Sequence, residues 1–393
     1  MLRQNYRIYP TKEQEQQLIQ RMGNARFIWN YFLALNKTYY NEHKLICWYN
    51  KSKDESKPYW RGMSSLLTDL KKEHTWLNEG DSQSLQNICR RLDTALKRCL
   101  VKQISEFPTF KSKHNPDKIS LEINQVNGHI AVEENQIKIP KMGYVKAKIH
   151  RQMKGRLKSI TIKRDNKHWI VSALFDEVRE KPVFDVDNSV GIDLGLKDFL
   201  TTSDGEVIKT PKIYRKAQAR LRRAQRSLAR KKKGSNNRTK QRNKVARIHQ
   251  KIRFKRKDFL HKLSNAIAKQ YNVVFMEDLN LEEMKQEYGK SVSDQGLGHF
   301  VQMMKYKTNV VQIDRWAAST KTCSKCGHKK PHMDISERVF CCEGCGFVGD
   351  RDLNAAINIK QMGLKDIGQG LPEYTPVETG TIAPSMKQEA APL

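Results

Sequence analysis

The sequence predicts a multidomain α+β protein, on three observations. Apolar residues recur at helical spacing between residues 11 and 105, short alternating segments fill residues 119 to 174, and two apolar runs further on carry acids, one in its middle and one at its carboxyl end. At 393 residues with 38% hydrophobic content, the chain can form two to four domains with proper cores. No apolar run approaches the roughly 18 residues of a membrane span, and Met-Leu-Arg-Gln-Asn-Tyr-Arg is no signal region, so a soluble intracellular protein is expected. Lys and Arg number 73 against 42 acids, a net charge of +31 that would repel itself unless a polyanion neutralises it; nucleic acid is the expected partner.

Taken in order, Arg3 to Tyr9 alternates as a strand and Pro10 ends it. Thr11-Lys-Glu-Gln14 is a capping box, the hydroxyl and the amide placed to satisfy the first free amides of a helix. Leu18, Met22, Ala25, Ile28, Phe32, Leu35 and Tyr39 then form a buried stripe, and a second helix is predicted over Ser84 to Val101. From Phe107-Pro-Thr-Phe110 the texture turns to short strands between turns such as Asn127-Gly128 and Asp165-Asn166, the pattern of a barrel or sandwich that the opening strand could join. Scattered lysines from Lys111 to Lys158 keep this part basic, as a surface for a nucleic-acid backbone would be.

After a linker from Lys181 to Asn188, the run from Ser189 to Leu200, which holds Gly191-Ile-Asp193-Leu-Gly195, reads as a hydrophobic strand with a single acid in its middle, Asp193, which is costly to bury unless paired. Its glycines are expected to leave room for a phosphate or a metal. Between Pro211 and Lys262 stand 22 Lys or Arg and one acid, Asp258, leaving only +10 for the rest of the chain. Apolar residues under that charge predict two long helices around Gly234-Ser-Asn-Asn237, docked as a ridge that tracks phosphates. Asn272-Val-Val-Phe-Met-Glu277-Asp278 is a second buried strand with acids at its carboxyl end.

Cys323, Cys326, Cys342 and Cys345 read C-x2-C, 15 residues, C-x2-C, the template of a zinc ribbon holding one structural Zn2+. Five of the eight cysteines lie between residues 323 and 345, which favours metal in a reducing compartment over a disulfide framework. Cys341, His328 and His332 are read as bystanders, and Cys47, Cys89 and Cys99 as core residues. Directly after the ribbon, Asp350-Arg-Asp352-Leu-Asn-Ala-Ala-Ile-Asn358 opens a helix. Asp193, Glu277 and Asp352 thus lie on two strands and a helix start, a carboxylate set able to bridge two Mg2+ for phosphodiester cleavage. Asp278 and Asp350 are near neighbours that could substitute, Asp198 reads as a turn residue, and the bland alternative is that these acids merely pair with the many lysines.

With Gly-Ile-Asp193-Leu-Gly, Met-Glu277-Asp-Leu, Thr-Lys-Thr-Cys323-Ser-Lys-Cys326-Gly, Cys342-Glu-Gly-Cys345-Gly and the Asp350-Arg-Asp352 run in that order, the chain resembles the TnpB (OrfB) family, transposon-encoded relatives of type V CRISPR effector nucleases. Ala317-Ala318-Ser-Thr stands where Pro-Ser-Ser is common in that family. The resemblance implies a RuvC-like, ribonuclease H type nuclease domain over 185–318 and 350–362, with the basic hairpin at 211–270 and the zinc ribbon at 319–349. It implies a wedge β-barrel over 1–10 and 106–184, a helical recognition domain inserted at 11–105, and a tail at 363–393 that is expected to be disordered. It also implies the activity, an RNA-guided DNA endonuclease cutting double-stranded DNA beside a short flanking motif. Asp193, Glu277 and Asp352 match the catalytic acids, with Mg2+ and Zn2+ as cofactors and a guide RNA from the transposon end as partner, in a prokaryotic cytoplasm at the nucleoid. A nuclease-inactive, RNA-guided transcriptional repressor is the alternative, and a zinc-ribbon RNA-binding protein a third reading.

Overall fold

The computed structural model describes residues 1–43, 59–101, 106–113, 119–178, 180–334 and 337–368. Cys47 and the part of the expected tail from residue 369 onward lie outside them. The chain divides into two compact units, Met1–Arg179 and Glu180–Leu393. No helix among the described residues is long and apolar enough to cross a membrane.

In the first unit the capping box forms as the sequence predicts: the Thr11 amide donates to Gln14 Oε1 at 3.1 Å and the Gln14 amide to Thr11 Oγ1 at 3.3 Å. Helix α1 (Lys12–His43) starts there, with Leu18, Met22, Ala25, Ile28 and Phe32 buried. The expected stripe then drifts: Leu35 is exposed, and Leu33 and Asn36 take the inward places. An ideal helix turns 3.6 residues per repeat, so a strict three-or-four reading slips over a helix this long. Helix α2 (Tyr59–Glu73), with Met63, Leu67 and Leu70 inside, was not foreseen; α3 (Ser82–Leu96) was, its N-terminus capped by Asp81.

Strand β1 (Leu2–Tyr9) does join the later strands β2 (Ser120–Asn124), β3 (Ala131–Val132), β4 (Gln136–Ile139), β5 (Gly143–Lys148), β6 (Arg156–Asp165) and β7 (His168–Asp176). They form one antiparallel sheet, ordered β2-β6-β7-β1-β5-β4-β3, with β1 bonded on both sides. Among the described residues no ladder joins β2 to β3, so the sheet has two edges where the expectation drew a barrel. Side chains of the helices and of the sheet, from Leu18 to Val171, belong to a single core, which explains why helices and sheet form one compact unit.

The second unit is built on a five-stranded mixed sheet. Its strands are β8 (Ser189–Asp193), β9 (Asp198–Thr202), β10 (Val207–Lys209), β11 (Val273–Glu277) and β12 (Asn309–Ile313), ordered β10-β9-β8-β11-β12. The β8, β11 and β12 ladders are parallel and the others antiparallel. Val190, Ile192 and Val273 to Met276 are fully buried, as expected for strands covered on both faces. The basic hairpin is α4 (Ile213–Ala229) and α5 (Asn236–Gln270), zipped by Leu221, Ala224, Ile248 and Ile252. Helices α6 (Leu281–Gln295) and α7 (Leu297–Lys307) lead to β12, and the ribbon strands β13 (Val339–Cys341) and β14 (Val348–Asp350) lead to α8 (Arg351–Gly368). The last helix runs to Gly368, so residues 363–368 are ordered helix where the sequence reading began a tail.

Helix α8 lies against β8 and β11 at unusually close range. A Cβ on Gly191 would stand 2.2 Å from the Ala356 carbonyl oxygen, and one on Gly363 2.1 Å from the Phe275 ring. The absent side chain at Gly191 therefore makes room for a helix backbone, not for the phosphate or metal that the sequence suggested.

Candidate active site and zinc centre

Parallel pairing of β8 with β11 sets Met276 beside Ile192, so Asp193 and Glu277 come at the same carboxyl ends of neighbouring strands. Close packing of α8 on β8 brings Asp352, in its first helical turn, to the same end. All three acids are half-buried. Burial first, then the neighbouring charges of Glu277 and Asp352, push the Asp193 carboxyl up to about 7, against the opposing pull of Arg351. Burial also raises Glu277, partly offset by the Ser319 hydroxyl, which donates to Glu277 Oε1. Asp352 accepts from Arg351 Nε at 3.1 Å.

The near neighbours are occupied elsewhere. Asp350 Oδ1 accepts the Asp352 and Leu353 amides at 2.9 and 3.0 Å, the duty of a helix cap. Asp278 is paired with Arg315 at 2.6 Å. Three acids crowded together, one of them disfavoured as an anion, fit a site for a divalent cation with hard oxygen donors. The acids are looser than the cysteines, however: the four thiols are the one group of three or more such donors, among the described residues, drawn within 4.8 Å of one another.

Those thiols are set by two knuckles of the same construction. The Cys323 amide donates to the His328 carbonyl and the Gly327 amide to the Cys323 carbonyl; the Cys342 and Gly346 amides repeat this with Phe347 and Cys342. Gly327 and Gly346 adopt left-handed φ of 76° and 68°, which a side chain would strain. Cys323 and Cys345 sulfurs lie 3.7 Å apart, Cys326 and Cys342 3.5 Å apart. Against the upward pull of burial, the backbone amides of Cys345 and Gly344 and the neighbouring thiols lower Cys342 to about 6. Such a donor set suits one tetrahedral Zn2+. Cys341 is exposed on β13 outside the set, and His328 packs its ring against Gly344.

Sequence reasoning missed what joins ribbon to acids. Asn354 Nδ2 donates to the Thr322 carbonyl at 2.7 Å, and Asn354 Oδ1 accepts the Ser324 amide at 2.9 Å. Asn358 Nδ2 donates to the carbonyls of Ser319 and Thr322 at 2.7 and 2.6 Å. Both amides are buried, so the first knuckle is clipped to α8 through a fully paired polar seam that ends on Ser319 and Glu277. The available signal was two asparagines four apart among alanines and isoleucine, one face of a helix carrying buried amides.

Comparison with known proteins bears on the whole chain. A family model for OrfB of IS605, described as "Probable transposase", matches residues 172–287, and one described as "Cas12f1-like, TNB domain" matches 298–359. A third, "Helix-turn-helix domain", matches residues 1–44, of which the described residues 1–43 hold one strand and one helix. A Streptomyces pristinaespiralis protein named "Putative RNA-guided DNA endonuclease" is 33% identical over 98% of this chain and 95% of its own length. InsQ of Escherichia coli K12, named in the same terms, is 29% identical over 91% of each. The fold is similar to that of Cas12f1 in a cryo-EM complex with sgRNA and target DNA, with a TM-score of 0.55 at 16% identity, covering 89% of this chain and 83% of that one.

Proposed function

We infer the activity from membership: the chain belongs to the TnpB (OrfB) family, and it acts as an RNA-guided DNA endonuclease on double-stranded target DNA. The observation that carries the catalytic part is the convergence of Asp193, Glu277 and Asp352 at one end of the β8, β11 and α8 layer, close enough to raise the Asp193 carboxyl. We assign the three as the ligands of catalytic Mg2+. Two such ions, when bound, would activate a water and stabilise the leaving oxygen of a phosphodiester. Asp193 and Glu277 are fixed by strand pairing, Ser319 holds one Glu277 oxygen, and the Asp350 cap sets the start of α8 so that Asp352 faces them. The mixed sheet with its acids at one end supports a RuvC-like, ribonuclease H type domain.

The α4–α5 hairpin would track nucleic-acid phosphates, its apolar seam holding the helices together and its 22 Lys or Arg left outward or at the seam's edge. Sequence reading is delegated to pairing by a guide RNA from the transposon end, while the protein reads a short flanking motif and duplex shape. The sheet and helices of the first unit are assigned the wedge and recognition roles, and the cytoplasm at the nucleoid is the place of action. The repressor alternative has no observation in its favour, since all three acids are present and face one site.

RNA that copurifies with the protein should be sequenced and paired with matching duplex DNA. Cutting is expected with Mg2+, none with EDTA and none by Asp193→Ala. Binding without any cutting by the wild type would sink the nuclease reading.

A further inference from the structure

Trp316 is the most exposed large apolar residue among those described, 83% open to solvent. Its place is not a loose loop. The pairing of Glu277 with Ile313 puts Asp314, Arg315 and Trp316 immediately beyond the strand end that carries Glu277. The Trp316 amide donates to Asp314 Oδ1 at 2.9 Å and the Ala317 amide to the Asp314 carbonyl at 3.1 Å, a closed turn. Arg315 ties the turn down through Asp278, with Nε on the carbonyl at 3.1 Å and a terminal nitrogen on the carboxylate at 2.6 Å. On the far side Ala317 enters the core around Phe275 and Ile359, and Ser319 reaches Glu277. The indole thus stands on a pinned turn at the rim of a shallow depression of roughly 540 Å3 lined by Asp278, Gln312, Ile313, Asp314 and Arg315, three residues beyond the strand partner of Glu277.

Leaving an indole in water forgoes the burial that most tryptophans obtain, and an indole held exposed just past the strand end that carries Glu277 offers a flat apolar face to a partner there. The local charges are Asp278 and Asp314 against Arg315, a net negative patch that does not attract phosphate. What the rim offers a nucleic acid is the ring. We propose that Trp316 is a stacking platform for an unpaired nucleobase of the DNA strand whose phosphodiester lies at Asp193, Glu277 and Asp352. In a duplex both faces of each base are covered by their neighbours; only an unpaired base presents a face to the indole. The residue therefore favours a displaced or unwound strand at the acids, and it makes no distinction between the four bases. This inference rests on the nuclease reading for the identity of the strand.

Two arms test it separately from that reading. In the first, Asp193→Ala protein is mixed with a single-stranded oligodeoxythymidylate carrying 5-iodouracil and irradiated, and the cross-linked peptide is mapped by mass spectrometry. A cross-link at Trp316 is expected; cross-links confined to other residues overturn the proposal. In the second, the guide-loaded protein with intact acids cuts a target whose base beside the scissile phosphate is replaced by an abasic site. The abasic site and Trp316→Ala are each expected to slow cutting roughly 5- to 150-fold, the range of one base–aromatic stack. Combined, they should cost no more than either alone, and Trp316→Phe should keep most of the rate. Losses that multiply, or a Trp316→Ala protein as fast as wild type, overturn it. If guide-loaded wild type cuts nothing, the nuclease reading falls by itself and the cross-link still decides the platform.

Discussion

A carboxyl that shares a half-buried corner with two others carries an electrostatic cost, and Asp193 bears most of it. Its folded pKa of about 7 stands above the ordinary carboxylate value, so the stability it contributes is full below about pH 4 and is lost as pH rises through about 7. Metal-free Asp193→Asn is therefore expected to melt higher than metal-free wild type at pH 8. The gain should be on the order of 1–2 kcal/mol after solvent screening, a few degrees in Tm, and it should shrink to nothing by pH 4. Calorimetry in EDTA at the two pH values checks this; an equal or lower midpoint for the variant at pH 8 would show that the acids do not strain one another. The same substitution should abolish cutting. The cost was legible in the sequence, because an acid within an apolar strand is visible without coordinates, although the reading put Asp193 mid-strand and β8 ends on it. The role of Ser319 was not, since nothing local marks a serine before a zinc knuckle as the partner of a glutamate 42 residues earlier.

At the scale of elements, the contact between α8 and the sheet depends on two glycines. Gly191→Ala would drive a methyl into the Ala356 carbonyl, and backbone on both sides leaves little that can yield. A loss of about 3 kcal/mol or more is expected in chemical denaturation, with cutting lost alongside because Asp352 moves with α8. Asn358→Leu tests the polar seam: it strands the Ser319 carbonyl, while the Thr322 carbonyl keeps its bond from Asn354, and it should cost about 1–3 kcal/mol while also releasing Ser319 from its place. Strands β8 and β11 were readable from unbroken apolar runs, and α1 from its capping box. Helix α2 escaped because its three inward residues sit among polar neighbours, and Gly191 was misread because its reason lies with Ala356, far along the chain. Strand spacing allowed a barrel or a sandwich and the family resemblance favoured the barrel; spacing counts strands but does not say which edges meet.

For the whole molecule, charge and zinc make separable demands. Replacing Arg222, Arg223, Arg226 and Arg230 with Gln removes four exposed cations, three from α4 and one from its C-terminal cap. The log-log salt slope of RNA or DNA binding should fall by about 3 if each meets a phosphate, and salt titration of affinity measures it directly. Stripping zinc should act elsewhere. Without its staple the first knuckle loosens, the Asn354 and Asn358 clips are lost, and Glu277 loses Ser319. Cutting is expected to stay low when Mg2+ alone is returned to chelated protein and to recover with Zn2+ and Mg2+ together, while nucleic-acid binding changes little. Full recovery with Mg2+ alone would uncouple ribbon from acids. The zinc motif was the clearest signal in the sequence, yet its spacing does not reveal that the ribbon braces the acid site.

Helix α8 follows every other described element along the chain, and it carries the third acid. A ribosome making this polypeptide releases Asp193 and Glu277 long before Asp352 can fold against them. On the proposed chemistry, a nascent or prematurely stopped product could grip RNA through its hairpin without harming the chromosome. Competence to cut arrives only once α8 itself has been made and folded.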